Sequence, residues 1–215
     1  MDLRKDVRID WITVELAKER HHRMSVLFDT FGFSNTNQIN GRLVDKSNKT
    51  FIEIQKLKSH AVAETHEQAL GQKGEVLILE DDVWFTEAMV PIINNIPSDA
   101  DAVYLGTSVY GMVNGISTPN GNEYKKIDDN WDKPLNMLGI HAVLYLTESY
   151  KQKAIENLLG AKDNGMYCDE PIAIDMKNHN VYSCVVPMLY QNDGHNNNVT
   201  RIPLRQMQIP VRGGQ

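Results

Sequence analysis

Three consecutive carboxylates, Glu80, Asp81 and Asp82, follow directly on the apolar run Val76-Leu77-Ile78-Leu79. Adjacent acids repel one another, and placing them at the end of a buried segment adds a desolvation cost, so a compensating cation is expected beside them. Oxygen donors at Glu80 and Asp82, one residue apart, suit Mg2+ or Mn2+, above all where a substrate diphosphate completes the shell. A solvated acidic turn would carry the same local pattern, so the flanking segments have to decide. Asp169 and Glu170, in Cys168-Asp169-Glu170-Pro171, offer a general base, or else two acids that suit the positive end of a helix dipole. His66, His141 and His195 are each readable as a ligand-facing imidazole or as a packed or solvated one. Lys18, Arg20, His21, His22 and Arg23 crowd the start of a helix, where cations oppose the macrodipole; most are expected to be solvated, the alternative being that they face an anion.

The elements that must position these residues follow from the hydrophobic pattern. Residues 76–79 read as a strand buried on both faces. Residues 7–16 read as a first strand and 17–31 as a helix, with Met24, Leu27, Phe28 and Phe31 at helical spacing and Gly32 as its stop. Residues 33–45 are polar, with Asn40-Gly41 as a turn signal. A short strand is expected at 51–54, a helix at 59–70, and an amphipathic helix from Asp82 to about residue 93. Another buried strand covers 102–106 and ends at Gly106, where backbone can approach a ligand. Residues 110–130, rich in glycine, asparagine and serine, read as a loop or loose hairpin. A strand at 138–146, a helix at 147–159 capped by Thr147, a helix beginning near Pro171 and a strand at 181–187 complete the order. Alternating strands and helices predict an α/β fold with a mixed, mostly parallel sheet, whose ligands bind at the carboxyl ends of strands.

The chain has 215 residues, and one domain over 1–215 is the simplest expectation, with a core at about 7–192 and a polar tail at 193–215. A net charge of −6 weighs against a nucleic-acid or anionic-membrane partner without excluding a local basic face. The charged amino terminus lacks a signal-peptide core, and no apolar run approaches the roughly 20 residues of a membrane span, so a cytoplasmic protein is expected. Cys168 and Cys184 have no CxxC spacing and read as reduced thiols.

Taken in order, several segments resemble glycosyltransferase family 25, which includes lipopolysaccharide-type and collagen galactosyltransferases. They are residues 11–16 with Arg20 and Arg23; Asn40-Gly41; Thr65-His66-Glu67-Gln68-Ala69-Leu70; Leu77 through Val83 with the three acids; Tyr104-Leu105-Gly106; Gly139-Ile140-His141-Ala142; and Asp169. The resemblance spans about residues 10–192, and the acidic strand end is its most specific part. It implies a GT-A type, Rossmann-like domain and an inverting hexosyl transfer from a nucleotide sugar, UDP-glucose or UDP-galactose, with Mn2+ or Mg2+. The acceptor would be a hydroxyl of a glycan, a protein or a modified nucleobase. It also implies that Thr13, Val14, Arg23, Asn40, Gly41, His66, Glu80, Asp81, Gly106 and His141 line the donor, that Glu80, Asp82 and His195 hold the metal, and that Asp169 or Glu170 is the base. The chain departs from the family at Val14-Glu15-Leu16, where an Ile-Asn-Leu-like strand end is usual, and 110–133 matches nothing in it. A catalytically silent sugar-nucleotide-binding or interaction module is the alternative.

Overall fold

The computed structural model describes residues 1–191, 199–200 and 203–207. Along the chain run β1 (Arg8–Thr13), α1 (Lys18–Phe31), β2 (Thr36–Asn40), α2 (Phe51–Leu70), β3 (Val76–Glu80), β4 (Val83–Phe85) and β5 (Ala102–Tyr104). Short strands follow: β6 (Thr107–Ser108), β7 (Tyr110–Val113), β8 (Ile116–Pro119), β9 (Glu123–Lys126), β10 (Trp131–Asn136) and β11 (Ala142–Tyr145). The last elements are α3 (Glu148–Asp163), α4 (Glu170–Asp175), β12 (Val181–Cys184), β13 (Leu189–Gln191), β14 (Val199–Thr200) and α5 (Leu204–Met207).

Eight strands form the central sheet in the order β2-β1-β3-β11-β5-β12-β10-β9. β2, β1, β3, β5, β12 and β9 run one way; β11 and β10 run the other. The result is the Rossmann-like α/β fold with a mixed, mostly parallel sheet that the sequence predicts. Period-two alternation divides the central strands between two cores. Val76, Ile78, Tyr104, Val143 and Tyr145 pack with Leu70 of α2, Leu158 of α3 and Ile172 of α4. Leu77, Leu79, Val103 and Leu144 pack on the other face with Met24 and Phe28 of α1. Helices therefore cover both faces, which is why the central strands read as continuous apolar runs. Gly32 closes α1 at φ 71°, the left-handed C-terminal turn that glycine adopts without strain. Cys168 and Cys184 are buried and unpaired, as expected of thiols.

Several sequence expectations need correction. Residues 51–54 are not a strand but the first turn of α2, because Thr50 and Glu53 form a capping box in which each side chain satisfies the other's backbone N–H. Residues 82–93 hold no helix; β4 pairs instead with β13, more than a hundred residues later. β2 lies within the segment 33–45 that reads only as polar, and β10 was not expected at all. Of the two alternatives for 110–130, a loop or a loose hairpin, the structure has the hairpin, β7–β8, and adds the strand β9 after it. Gly111 lets this hairpin close against the following turn, since a Cβ there would sit 2.4 Å from the Gly121 carbonyl oxygen.

Candidate active site

β3 delivers its three acids to the carboxyl edge of the sheet, and each has a different surrounding. Asp81 faces β1 and α1: its Oδ2 accepts from the Thr13 hydroxyl, its Oδ1 pairs with Arg20 Nη1 at 2.7 Å, and its backbone carbonyl accepts from Arg23 Nη2. Arg23 also stacks over Trp84, 4.8 Å from the ring centroid. His21 Nε2 lies 2.9 Å from Thr13 Oγ1 and 3.1 Å from the Val14 carbonyl oxygen, with its ring edge-on to Trp11. The basic start of α1 is thus not chiefly solvated. Arg20, His21 and Arg23 turn inward onto the strand ends, while Lys18 and His22 stay exposed.

Glu80 and Asp82 face the opposite direction and converge. The Gln191 amide nitrogen lies 3.3 Å from Glu80 Oε2 and 3.2 and 3.3 Å from the two Asp82 oxygens. β13 places it there through its pairing with β4 and through a bridge from Leu189 to the buried Gly106. The other Glu80 oxygen lies 3.3 Å from His66 Nε2 on α2. Burial, together with the charges of Glu80 and Asp81, raises the Asp82 pKa to about 7, which the Gln191 hydrogen bond offsets only in part. Burial works in the same direction on Glu80, but the His66 hydrogen bond, with His66, His141 and Arg20 nearby, outweighs it and holds Glu80 below the usual carboxylate range.

β11 enters the sheet from the carboxyl edge because it runs against its neighbours. It carries His141 beside Glu80, whose backbone N–H donates to the His141 carbonyl at 2.9 Å. Burial lowers the His141 pKa to about 4, and neither ring nitrogen finds a hydrogen-bond partner among the described residues. Gly139, at φ 95°, donates its N–H to Asp169 Oδ2 at 2.8 Å. Burial raises Asp169 to about 6 against that hydrogen bond.

Thr13, Arg23, His66, Glu80, Asp81, Asp82, Gly106, His141 and Asp169 are therefore gathered at one edge, with the Val14 carbonyl among them. Gly41 belongs there too: its N–H donates to the Thr13 carbonyl at 2.7 Å, and a Cβ would lie 3.0 Å from Thr65 Oγ1. Asn40 is exposed and bonded to Gln38, and Glu170 accepts from the nearby Tyr167 N–H at 2.9 Å, so neither is drawn into the cluster. His195 lies outside the described residues. Sequence reasoning missed Arg20 and His21 as inward-facing groups, as well as Trp84 and Gln191. The helical i, i+3 spacing of Arg20 and Arg23 was a usable signal; for Gln191 there was none.

The donor set fits a divalent cation of the kind that takes one or two carboxylates plus substrate phosphate oxygens. Glu80 and Asp82 already converge on one point, where an amide N–H donor now supplies partial positive charge. Among the described residues no three His, Cys, Asp or Glu side chains form a complete cage, so a metal here would depend on substrate or solvent for its remaining ligands.

No protein-family model matches the chain, and no curated protein matches it in sequence, so the family-25 resemblance draws no support from either comparison. Among solved structures, a nucleoside-diphosphate-sugar pyrophosphorylase from Vibrio cholerae is 8% identical, with a TM-score of 0.43 over 85% of this chain and 75% of that one. A CTP:phosphocholine cytidylyltransferase from Streptococcus pneumoniae is 11% identical, with a TM-score of 0.36 over 88% of this chain and 95% of that one. A glycosyltransferase involved in glycosylation of the major capsid of PBCV-1 is 8% identical, with a TM-score of 0.30 over 69% of this chain and 66% of that one. Such distant likenesses carry no activity across to this chain.

Proposed function

We propose that this chain is a transferase acting on a nucleotide-activated sugar, with the donor diphosphate anchored at Glu80 and Asp82 through Mn2+ or Mg2+. The observation that carries this reading is the convergence of Glu80 Oε2 and both Asp82 oxygens on a single point at the carboxyl end of β3. A bound divalent cation supplies neutralisation of the diphosphate leaving group. Arg20 and Arg23 add positive charge on the Asp81 side, and Thr13, Val14 and Gly41 form the strand-end floor against which a nucleoside packs. His141, buried and neutral, offers a hydrogen bond to the sugar.

The finer reading is an inverting hexosyl transfer from a UDP-hexose. The acceptor oxygen forms a bond to the anomeric carbon, the bond from that carbon to the diphosphate oxygen breaks, and the acceptor proton passes to Asp169. Gly139 orients the Asp169 carboxyl group, and a pKa near 6 leaves it ionised at neutral pH yet basic enough to accept a proton. Glu170, committed to the Tyr167 N–H, is the weaker candidate. The second reading, a catalytically silent sugar-nucleotide-binding module, is favoured by the Gln191 amide, which ties both metal-facing carboxylates together.

Isothermal titration of UDP with and without Mn2+ tests the anchor: the wild type should bind only with metal, and Asp82→Asn should not bind. Absence of metal-dependent nucleotide binding in the wild type would overturn both readings. Release of UDP from UDP-glucose or UDP-galactose separates them, since the silent module binds the donor and leaves it intact.

A further inference from the structure

The start of α2 and the loop leading into it combine two features that the active site does not use. Phe51 and Ile52 are 74% and 64% exposed, and neither belongs to either core. Around them, residues 43–58 hold four basic and two acidic side chains, a local charge of +2 in a chain that carries −6. The two acids are held locally, with Asp45 accepting from the Ser47 N–H at 2.9 Å and Glu53 closing the capping box with Thr50. Arg42 is taken by Glu64, at 2.6 Å, while Lys46, Lys49 and Lys58 remain exposed. Lysines before the first turn of a helix oppose its dipole, and an exposed phenylalanine-isoleucine pair gains nothing from water. Neither feature serves the stability of the free chain. Together, apolar side chains rimmed by lysines match the headgroup boundary of an anionic bilayer.

We propose that this tip of α2 docks the protein on an anionic membrane surface, with Phe51 and Ile52 entering the headgroup layer and Lys46, Lys49 and Lys58 facing acidic lipid. The position suits this. Fifteen residues of helix separate Phe51 from His66 at the site, about 22 Å at 1.5 Å per residue, so the tip stands well away from the carboxylates. The loop behind the tip starts at Gly41, which is pinned to Thr13 of the same site. Docking by this tip is independent of the reaction proposed above, since it rests on residues outside the strand-end cluster.

Co-sedimentation of the full chain with vesicles of phosphatidylcholine, with and without phosphatidylglycerol, tests the surface. The wild type should partition onto the anionic vesicles and not the neutral ones, and the binding should weaken as salt rises. A lysine near an anionic leaflet contributes about a factor of five, so Lys46→Glu with Lys49→Glu should lower partitioning by about 25-fold or more. Phe51→Ser with Ile52→Ser should also weaken it, with thermal unfolding unchanged because these side chains lie outside the core. No sedimentation with anionic vesicles at low salt would overturn the proposal, as would partitioning that the Phe51/Ile52 variant leaves intact. Retention on a polyanion such as heparin without vesicle binding would overturn it in favour of a polyanion site.

Discussion

Asp169 is the residue whose titration separates a working base from a buried acid. Its carboxyl group is raised from 3.8 to about 6, so between those values the native state binds a proton that the unfolded chain releases. Stability therefore falls as pH rises through that window, and Asp169→Asn removes the penalty. Relative to the wild type, the variant should gain on the order of 1–3 kcal/mol between about pH 4 and about pH 7, read from urea unfolding at each pH. Turnover should move the other way: UDP release by the wild type should fall below about pH 6, and the Asn variant should lose roughly 10²–10⁴-fold. Gln191 gives a second residue-scale expectation. Gln191→Ala strips Glu80 and Asp82 of their shared donor and should cost the metal-free protein about 1–2 kcal/mol. Added Mn2+ should then raise the melting temperature of the variant by more than it raises that of the wild type; equal shifts would mean that the amide does not hold the cation position.

Among the elements, α2 depends on its first turn, and Thr50→Ala should lower stability by about 1 kcal/mol in chemical denaturation while leaving the rest of the fold intact. The same turn shows what the sequence conveyed and what it hid. Thr50-x-x-Glu53 is a legible capping signature, yet Phe51-Ile52-x-Ile54 has the composition of a strand, and composition misled the reading there. β3 was legible together with its acids, because a strand covered on both faces must be apolar throughout and the change to carboxylates marks where it leaves the core. β4 was not legible, because its pairing is supplied by residues 189–191 and no local pattern encodes so distant a partner. Arg20 and Arg23 were legible in part: helical spacing puts them on one face, but only the packing of α1 against β1 determines which way that face points.

For the whole molecule, the far edge of the sheet is fastened by the chain's last described helix. Asp132 on β10 is fully buried, and Arg205 meets it with Nε at 2.9 and 3.1 Å while Nη2 also bonds the Asp128 and Trp131 carbonyls. Arg205→Ala leaves a buried carboxylate without its counter-charge, so a loss of about 3 kcal/mol is expected in urea unfolding. Adding Asp132→Asn should recover part of that loss; no recovery would show that packing by Leu204 and its neighbours, rather than charge, makes the clasp. The antiparallel β11 has a different reach. Among the described residues it alone joins β3 to β5 in the sheet, so β2-β1-β3 and the later sheet strands are joined only once β11 has been made. A chain emerging from the ribosome must therefore wait until about residue 145 before its two halves close, with the edges of β3 and β5 open in the meantime. Such open apolar edges invite pairing between nascent chains, so truncations that stop short of β11 should aggregate rather than yield a smaller soluble fold.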